Sequence, residues 1–173
     1  MKEHEETIAH TSLLSNFARS GHLDLLKQLF PNGVWVTEGV QEEIARGVAK
    51  YPELQGLLET EDLWLKVVKE LELGEEQERQ RLQGQYTGIR KGADAAVLAV
   101  AKVRNWKVLT DDDREGKGMV SIARQEGIEV FRSQELLKLA VQKGLISHEG
   151  AQQVRRDIAE KARYSRILQE QDP

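Results

Sequence analysis

Residues 95–103, Ala-Ala-Val-Leu-Ala-Val-Ala-Lys-Val, are apolar on most sides of a helix. A helix of that kind cannot lie on a surface, so the segment has to sit between layers, and its small alanines suit close packing on a sheet. Asp94 opens it. After Arg104 the run Lys107-Val108-Leu109-Thr110 reads as a short buried strand, and three carboxylates, Asp111, Asp112 and Asp113, follow it. A buried helix feeding a buried strand is the repeating unit of parallel sheets covered on both faces.

The rest of the chain carries the same alternation. Thr7-Ile8-Ala9 is a first strand, and Leu13, Leu14, Phe17 and Ala18 form a helix that Gly21 ends. Leu23, Leu25, Leu26, Leu29 and Phe30 form a second helix, which stops at Pro31-Asn32-Gly33 before the strand Val34-Trp35-Val36. Thr37 is a natural N-cap for a helix carrying Val40 and Ile44. The chain then runs through Leu54, Leu57 and Leu58 to a third strand at Leu63–Val68.

Glu70 to Lys91 is strongly polar, and Glu75 four residues before Arg79 predicts an exposed helix with pairs along its surface. Val130-Phe131 is a fifth strand, reached through a helix around Met119 to Glu126 that ends at Gly127. Leu136, Leu137, Ala140 and Val141 mark another helix. On the last one, Ala151, Val154, Ile158 and Ala162 form a thin stripe that suits docking on the domain or contact with a partner.

At 173 residues the chain has room for one domain with a real core. It has no cysteine, which removes disulfides and thiolate metal sites. The charged N-terminus leads into no signal-type apolar stretch, and no apolar run approaches membrane length, so a cytoplasmic protein is expected. A net charge of −4 argues against nucleic-acid binding by bulk positive field, yet it leaves room for a local basic groove beside an acidic centre.

Four segments stand in order: Ile8-Ala9-His10-Thr11-Ser12, Val36-Thr37-Glu38-Gly39-Val40-Gln41-Glu42-Glu43-Ile44, Gly92-Ala93-Asp94-Ala95-Ala96 and Leu109-Thr110-Asp111-Asp112-Asp113-Arg114. Together they resemble the PIN-domain family over about residues 7–146, closest to its prokaryotic toxin-like branch. The resemblance implies a three-layer α/β/α domain with a mainly parallel five-stranded sheet, and it leaves residues 147–173 as a C-terminal helical extension. It also implies a metal-dependent endoribonuclease, in some members the toxin of a toxin-antitoxin pair. The partners to expect are an RNA substrate, an antitoxin protein and a second copy as a homodimer, with no membrane.

A phosphodiester is a poor electrophile ringed by negative charge. Mg²⁺ or Mn²⁺ held by carboxylates would neutralise its oxygens and activate water. On the resemblance, Glu43, Asp94 and Asp112 are the catalytic acids and metal ligands, with Asp111 and Asp113 as near alternatives to Asp112, and Glu38 and Glu42 as alternatives to Glu43. Thr11 and Ser12 match hydroxyl positions, and Lys91, Arg114 and Lys117, with Arg90, stand ready for nucleic-acid phosphates.

One departure stands out. Where the family places its first aspartate, this chain has His10. Imidazole is a poor ligand for Mg²⁺ and a better one for Mn²⁺. Three readings follow: a degenerate module that binds RNA or a protein, a site retuned to a softer metal, and an inactivated nuclease. A receiver-type phospho-acceptor would need acids after the first strand, where this chain offers His10-Thr11-Ser12.

Overall fold

The computed structural model describes residues 6–59, 63–89 and 92–170. Five strands, β1 (Thr7–Ala9), β2 (Val34–Thr37), β3 (Leu65–Val68), β4 (Lys107–Leu109) and β5 (Val130–Phe131), form one sheet in the order β3-β2-β1-β4-β5. Every pairing is parallel, with Ile8 beside Trp35 on one side and Val108 on the other. The helices are α1 (Thr11–Arg19), α2 (Leu23–Leu29), α3 (Glu38–Gly47), α4 (Gln55–Leu58), α5 (Leu73–Gln85), α6 (Gly92–Arg104), α7 (Met119–Gln125), α8 (Ser133–Gln142) and α9 (His148–Lys161).

The apolar helix behaves as its composition demands: every residue of α6 from Asp94 to Ala101 is buried, and the helix packs on β1, β2 and β4. α5 and α7 flank it, while α1, α2, α8 and α9 contact one another in the second helical layer. The result is the three-layer α/β/α domain that the alternation predicts. Its core runs through Ile8, Leu13, Leu14, Phe17, Leu26, Ile44, Leu98, Leu109, Leu136 and Leu137, all fully buried.

Three local features differ from the sequence expectation or sharpen it. The third strand starts at Leu65, two residues later than its apolar run: Leu63 adopts φ 46 and faces solvent, and the turn carries Trp64 inward, where its indole N–H donates to Phe30 O at 2.7 Å. Glu75 does not pair with Arg79. Its side chain is fully buried where α5 lies along α6, and it accepts from Arg104 Nε at 2.5 Å, leaving Arg79 to Glu76. The α9 stripe turns inward, so Ala151, Val154, Ile158 and Ala162 join the single core, and Ile167 of the following 3-10 turn joins them. Among the described residues no helix is long and apolar enough to cross a membrane.

Candidate functional site

Strand order locates the site. From β1 the chain steps outward to β2 and β3, then returns to place β4 and β5 on the other side, so the crevice beyond the carboxyl ends of β1 and β4 is the topological switch point where open parallel sheets bind ligands. His10 follows β1, and Thr110, Asp111 and Asp112 follow β4. The His10 N–H donates to Leu109 O at 2.9 Å, which fixes the two strand ends against each other.

His10 is the N-cap of α1, with extended backbone at φ −94 and ψ 153. Its Nδ1 accepts from the Ser12 backbone N–H at 3.4 Å and lies 2.9 Å from Ser12 Oγ and 3.3 Å from Thr110 Oγ1. A backbone amide can only donate, so Nδ1 presents its lone pair to the helix and the ring hydrogen sits on Nε2. Nε2 in turn lies 3.1 Å from Asp94 Oδ1. In that arrangement the histidine offers Asp94 an N–H, and its lone pair is turned away from the acid.

The three consecutive aspartates have three environments. Asp111 is buried, and its carboxylate accepts from the Ser133 N–H at 2.8 Å, Ser133 Oγ at 2.5 Å and Asn16 Nδ2 at 2.7 Å, which ties the end of β4 to the start of α8 and the middle of α1. Burial pushes its carboxyl above the ordinary range against those bonds.

Asp112 is only partly buried and is gripped by Arg114, whose Nε and Nη2 donate to its two oxygens at 2.7 Å each. Burial pushes Asp112 up, but the Arg114 fork and the Met119 N–H outweigh it and hold the carboxyl below its ordinary value. Gly118 permits this approach, since a Cβ there would stand 2.4 Å from Asp112 O and 2.7 Å from its Oδ1. Asp113 points the other way, 3.6 Å from Arg132.

Glu43, from α3, reaches the same crevice, while Glu38 and Glu42 face solvent. Thr11 Oγ1 donates to Glu43 Oε2 at 2.7 Å, and Ser12 Oγ accepts from the Asp111 N–H at 3.0 Å, so one hydroxyl positions a carboxyl group and the other holds the main chain after β4. His10, Glu43, Asp94, Asp111, Asp112 and Arg114 thus border one cleft of about 500 Å³. Lys117 is exposed and stands outside that lining, and Lys91 and Arg90 fall outside the described residues.

The lining also includes Ser15, Asn16, Arg19 and Tyr164, which sequence reasoning did not single out. For Ser15, Asn16 and Arg19 the signal was their position in the first helix after His10. Tyr164 had none, because it arrives from the end of the chain. Its hydroxyl accepts from Arg132 Nη2 at 2.9 Å and donates to Asp111 O at 3.4 Å, and burial, then the Asp111 charge, raise it to about 12.

By donor chemistry, Asp94, Asp112, Glu43 and His10 are the groups that would meet a cation here. As arranged they do not fit one. Among the described residues no three His, Asp or Glu side chains gather as a metal-holding group. The physical reason is that Asp94 already faces the His10 N–H, and Asp112 faces a guanidinium that lies 3.9 Å from Asp94 as well. Mg²⁺ requires near-octahedral oxygen donors, and two of the central acids are satisfied by protein N–H groups instead.

Comparison with curated proteins and with solved structures gives no match. The family model for the PIN domain matches residues 6–171, nearly the whole chain, and includes both the cleft and the C-terminal helix. The chain therefore belongs to the PIN domain family of nuclease-type modules.

Proposed function

We propose that this PIN domain is an endoribonuclease module held back at one position. RNA occupies the cleft at the ends of β1 and β4, and Mg²⁺-dependent cleavage is suppressed because His10 gives Asp94 a hydrogen-bond donor where an acid would complete the cation's oxygen set. The single observation that carries this reading is the orientation of His10, with Nδ1 on the α1 cap and Nε2 3.1 Å from Asp94. Asp94, Asp112 and Glu43 border the same cleft, which supports the reading, although as arranged they do not gather as a metal-holding group. Arg19 and Arg114 line the same cleft and offer contacts to phosphate.

A second reading, a cleft that binds RNA without ever cleaving it, is favoured by Arg114. Its bidentate grip on Asp112 neutralises a second acid independently of His10. The α9 stripe is buried in the core and lends no support to a homodimer or an antitoxin contact through it.

Aspartate is a good N-cap, so His10→Asp keeps the helix start while restoring an oxygen donor and a negative charge. The parent, His10→Asp and His10→Asp/Asp112→Asn are each assayed on a mixed RNA pool in Mg²⁺, in Mn²⁺ and with chelator. His10→Asp is expected to cleave in Mg²⁺ at least about 10-fold faster than the parent, and the double variant to lose that gain. Mg²⁺ should also raise the melting temperature of His10→Asp and leave the parent unmoved. An inert His10→Asp leaves the binding-only reading. Efficient cleavage by the parent in Mn²⁺ would make His10 a working ligand and overturn the role given to its ring hydrogen.

A further inference from the structure

The chain carries a net charge of −4, and several of its described cations are engaged: Arg79, Arg81, Lys102, Arg104, Arg114 and Arg132 all lie against carboxylates. Four others stand out by their place beside the cleft. Among the described residues, Arg19, Lys50, Arg163 and Arg166 form no ion pair, although Lys161 between them is held by Asp157 at 3.2 Å.

These four come from separate parts of the chain, namely the end of α1, the turn after α3 and the turn after α9. The fold brings two of them onto one tyrosine ring, and Arg163 borders the neighbouring recess with Arg166. Arg19 Cζ stands 3.7 Å over the Tyr51 ring centroid and Lys50 Nζ 5.2 Å from it. A hydrogen bond with Lys50, and then the charges of Arg19, Lys50 and Arg163, pull the Tyr51 phenol below its ordinary value despite an opposing desolvation.

Stacking on the ring fixes the plane of the Arg19 guanidinium without using its edge. Its Nε is buried with no hydrogen-bond partner, and Nη2 makes only a 3.5 Å contact to Lys161 O. A cation held in place with unfilled donors loses little entropy when an anion arrives. The patch is also continuous with the candidate site. Arg19 lines the acid cleft itself, and a second recess of about 310 Å³, sharing Asp111, Asp112, Arg114 and Tyr164 with it, is bordered by Asp113 on one hand and by Arg163 and Arg166 on the other.

We propose that Arg19, Lys50 and Arg163, gathered around Tyr51, form a phosphate-binding platform that holds the backbone of single-stranded RNA beside the acid cleft, with Arg166 extending the track past Tyr164. The platform supplies the local positive field that an acidic protein needs to retain a polyanion next to its own carboxylates. Because its contacts are to phosphate, it binds without reading sequence, and Tyr51 acts as a positioning residue for Arg19. The inference rests on the RNA reading of the cleft, and it concerns binding only.

The test is binding of a fluorescent single-stranded RNA of about 12 nucleotides in chelator, followed by anisotropy over a series of KCl concentrations. Each phosphate contact on a single strand contributes about 0.7 to the slope of log K against log salt, so Lys50→Ala/Arg163→Ala should lower the slope by about 1.4. Lys50→Arg/Arg163→Lys should keep the parental slope, which separates lost charge from lost structure. The platform is overturned if the alanine pair keeps the parental slope, if the conservative pair loses as much, if the parent binds no RNA, or if polyglutamate competes as well as RNA.

The outcome is separable from that of the cleavage assay. A reduced slope beside an inert His10→Asp supports the platform and removes the nuclease reading. An unchanged slope beside an active His10→Asp does the reverse.

Discussion

Asp111 and Asp112 are adjacent and chemically identical, yet the fold gives them opposite roles. Asp111 is enclosed by Ser133 and Asn16, whereas Asp112 meets Arg114 at the edge of the cleft. Replacing Asp111 by alanine leaves the Asn16 amide and the Ser133 N–H buried without partners, a loss expected to cost about 2–4 kcal/mol of stability. Urea denaturation measures it. A cost under about 0.5 kcal/mol, within the range of an ordinary surface substitution, would mean that water replaces the carboxylate and that these bonds do not tie the layers together. Nothing in a run of three aspartates distinguishes its members; side-chain direction after a strand depends on the turn that follows, here one that needs Gly118 against Asp112.

At the scale of the element, α5 and α9 show how neighbours reassign a helix face. α5 reads as a solvated helix, and much of its surface is, but Glu75 and Leu82 sit two turns apart and both face inward. For Glu75, burial raises the carboxyl, while the bonds from Arg104 and the Glu72 N–H outweigh it and leave the group below its ordinary value. Glu75→Gln removes the charge that answers Arg104 and is expected to destabilise the fold by about 3 kcal/mol, more than the same change at half-buried Glu76. Equal effects at the two positions would show that the buried pair contributes no more than a surface one.

In α9, Ile158 is fully buried, and Arg155 donates from Nη2 to the carbonyls of Ile167 and Glu170 at 2.8 Å each, so the helix holds down the segment that delivers Tyr164 to the cleft. Ile158→Ala is expected to cost about 2–4 kcal/mol by chemical denaturation. A near-neutral result would mean that α9 can leave the domain without consequence.

Across the whole molecule, the acid limb of stability follows from carboxylates held below their ordinary values. Glu126 joins α5, α6 and α7 by accepting from Arg81, Lys102 and Tyr86. Burial raises its carboxyl, but these three donors bring it from 4.5 down to about 2. Because the folded value is depressed, the stabilisation is complete above about 4.5 and is lost as pH falls toward about 2. Asp111 opposes this: its folded value is raised, so its contribution is present at low pH and fades as pH rises through that value. Melting temperature should therefore fall between pH 4.5 and 2, and Glu126→Gln should start lower at neutral pH and show a shallower fall over that range. An acid limb of the same depth in the variant would place the effect in other carboxylates.

The alternation of apolar runs and periodic segments determined the class of fold, because a helix apolar on most sides has only one place to go and short apolar strands joined by helices pair in parallel. The ordered motifs likewise brought His10, Glu43, Asp94 and the 111–113 run to notice. Tertiary structure alone decided how those groups meet. Whether His10 turns a lone pair or a hydrogen toward Asp94 depends on the Ser12 amide, and which aspartate is enclosed and which meets a guanidinium depends on Ser133 and Arg114. Arg163 lies more than a hundred residues along the chain from Arg19 and Lys50, and comes near them only through the packing of α1 with α3 and α9. Periodicity is a local property of sequence, set by backbone geometry, whereas hydrogen-bond partnership and charge clustering arise between segments that only the folded core brings together.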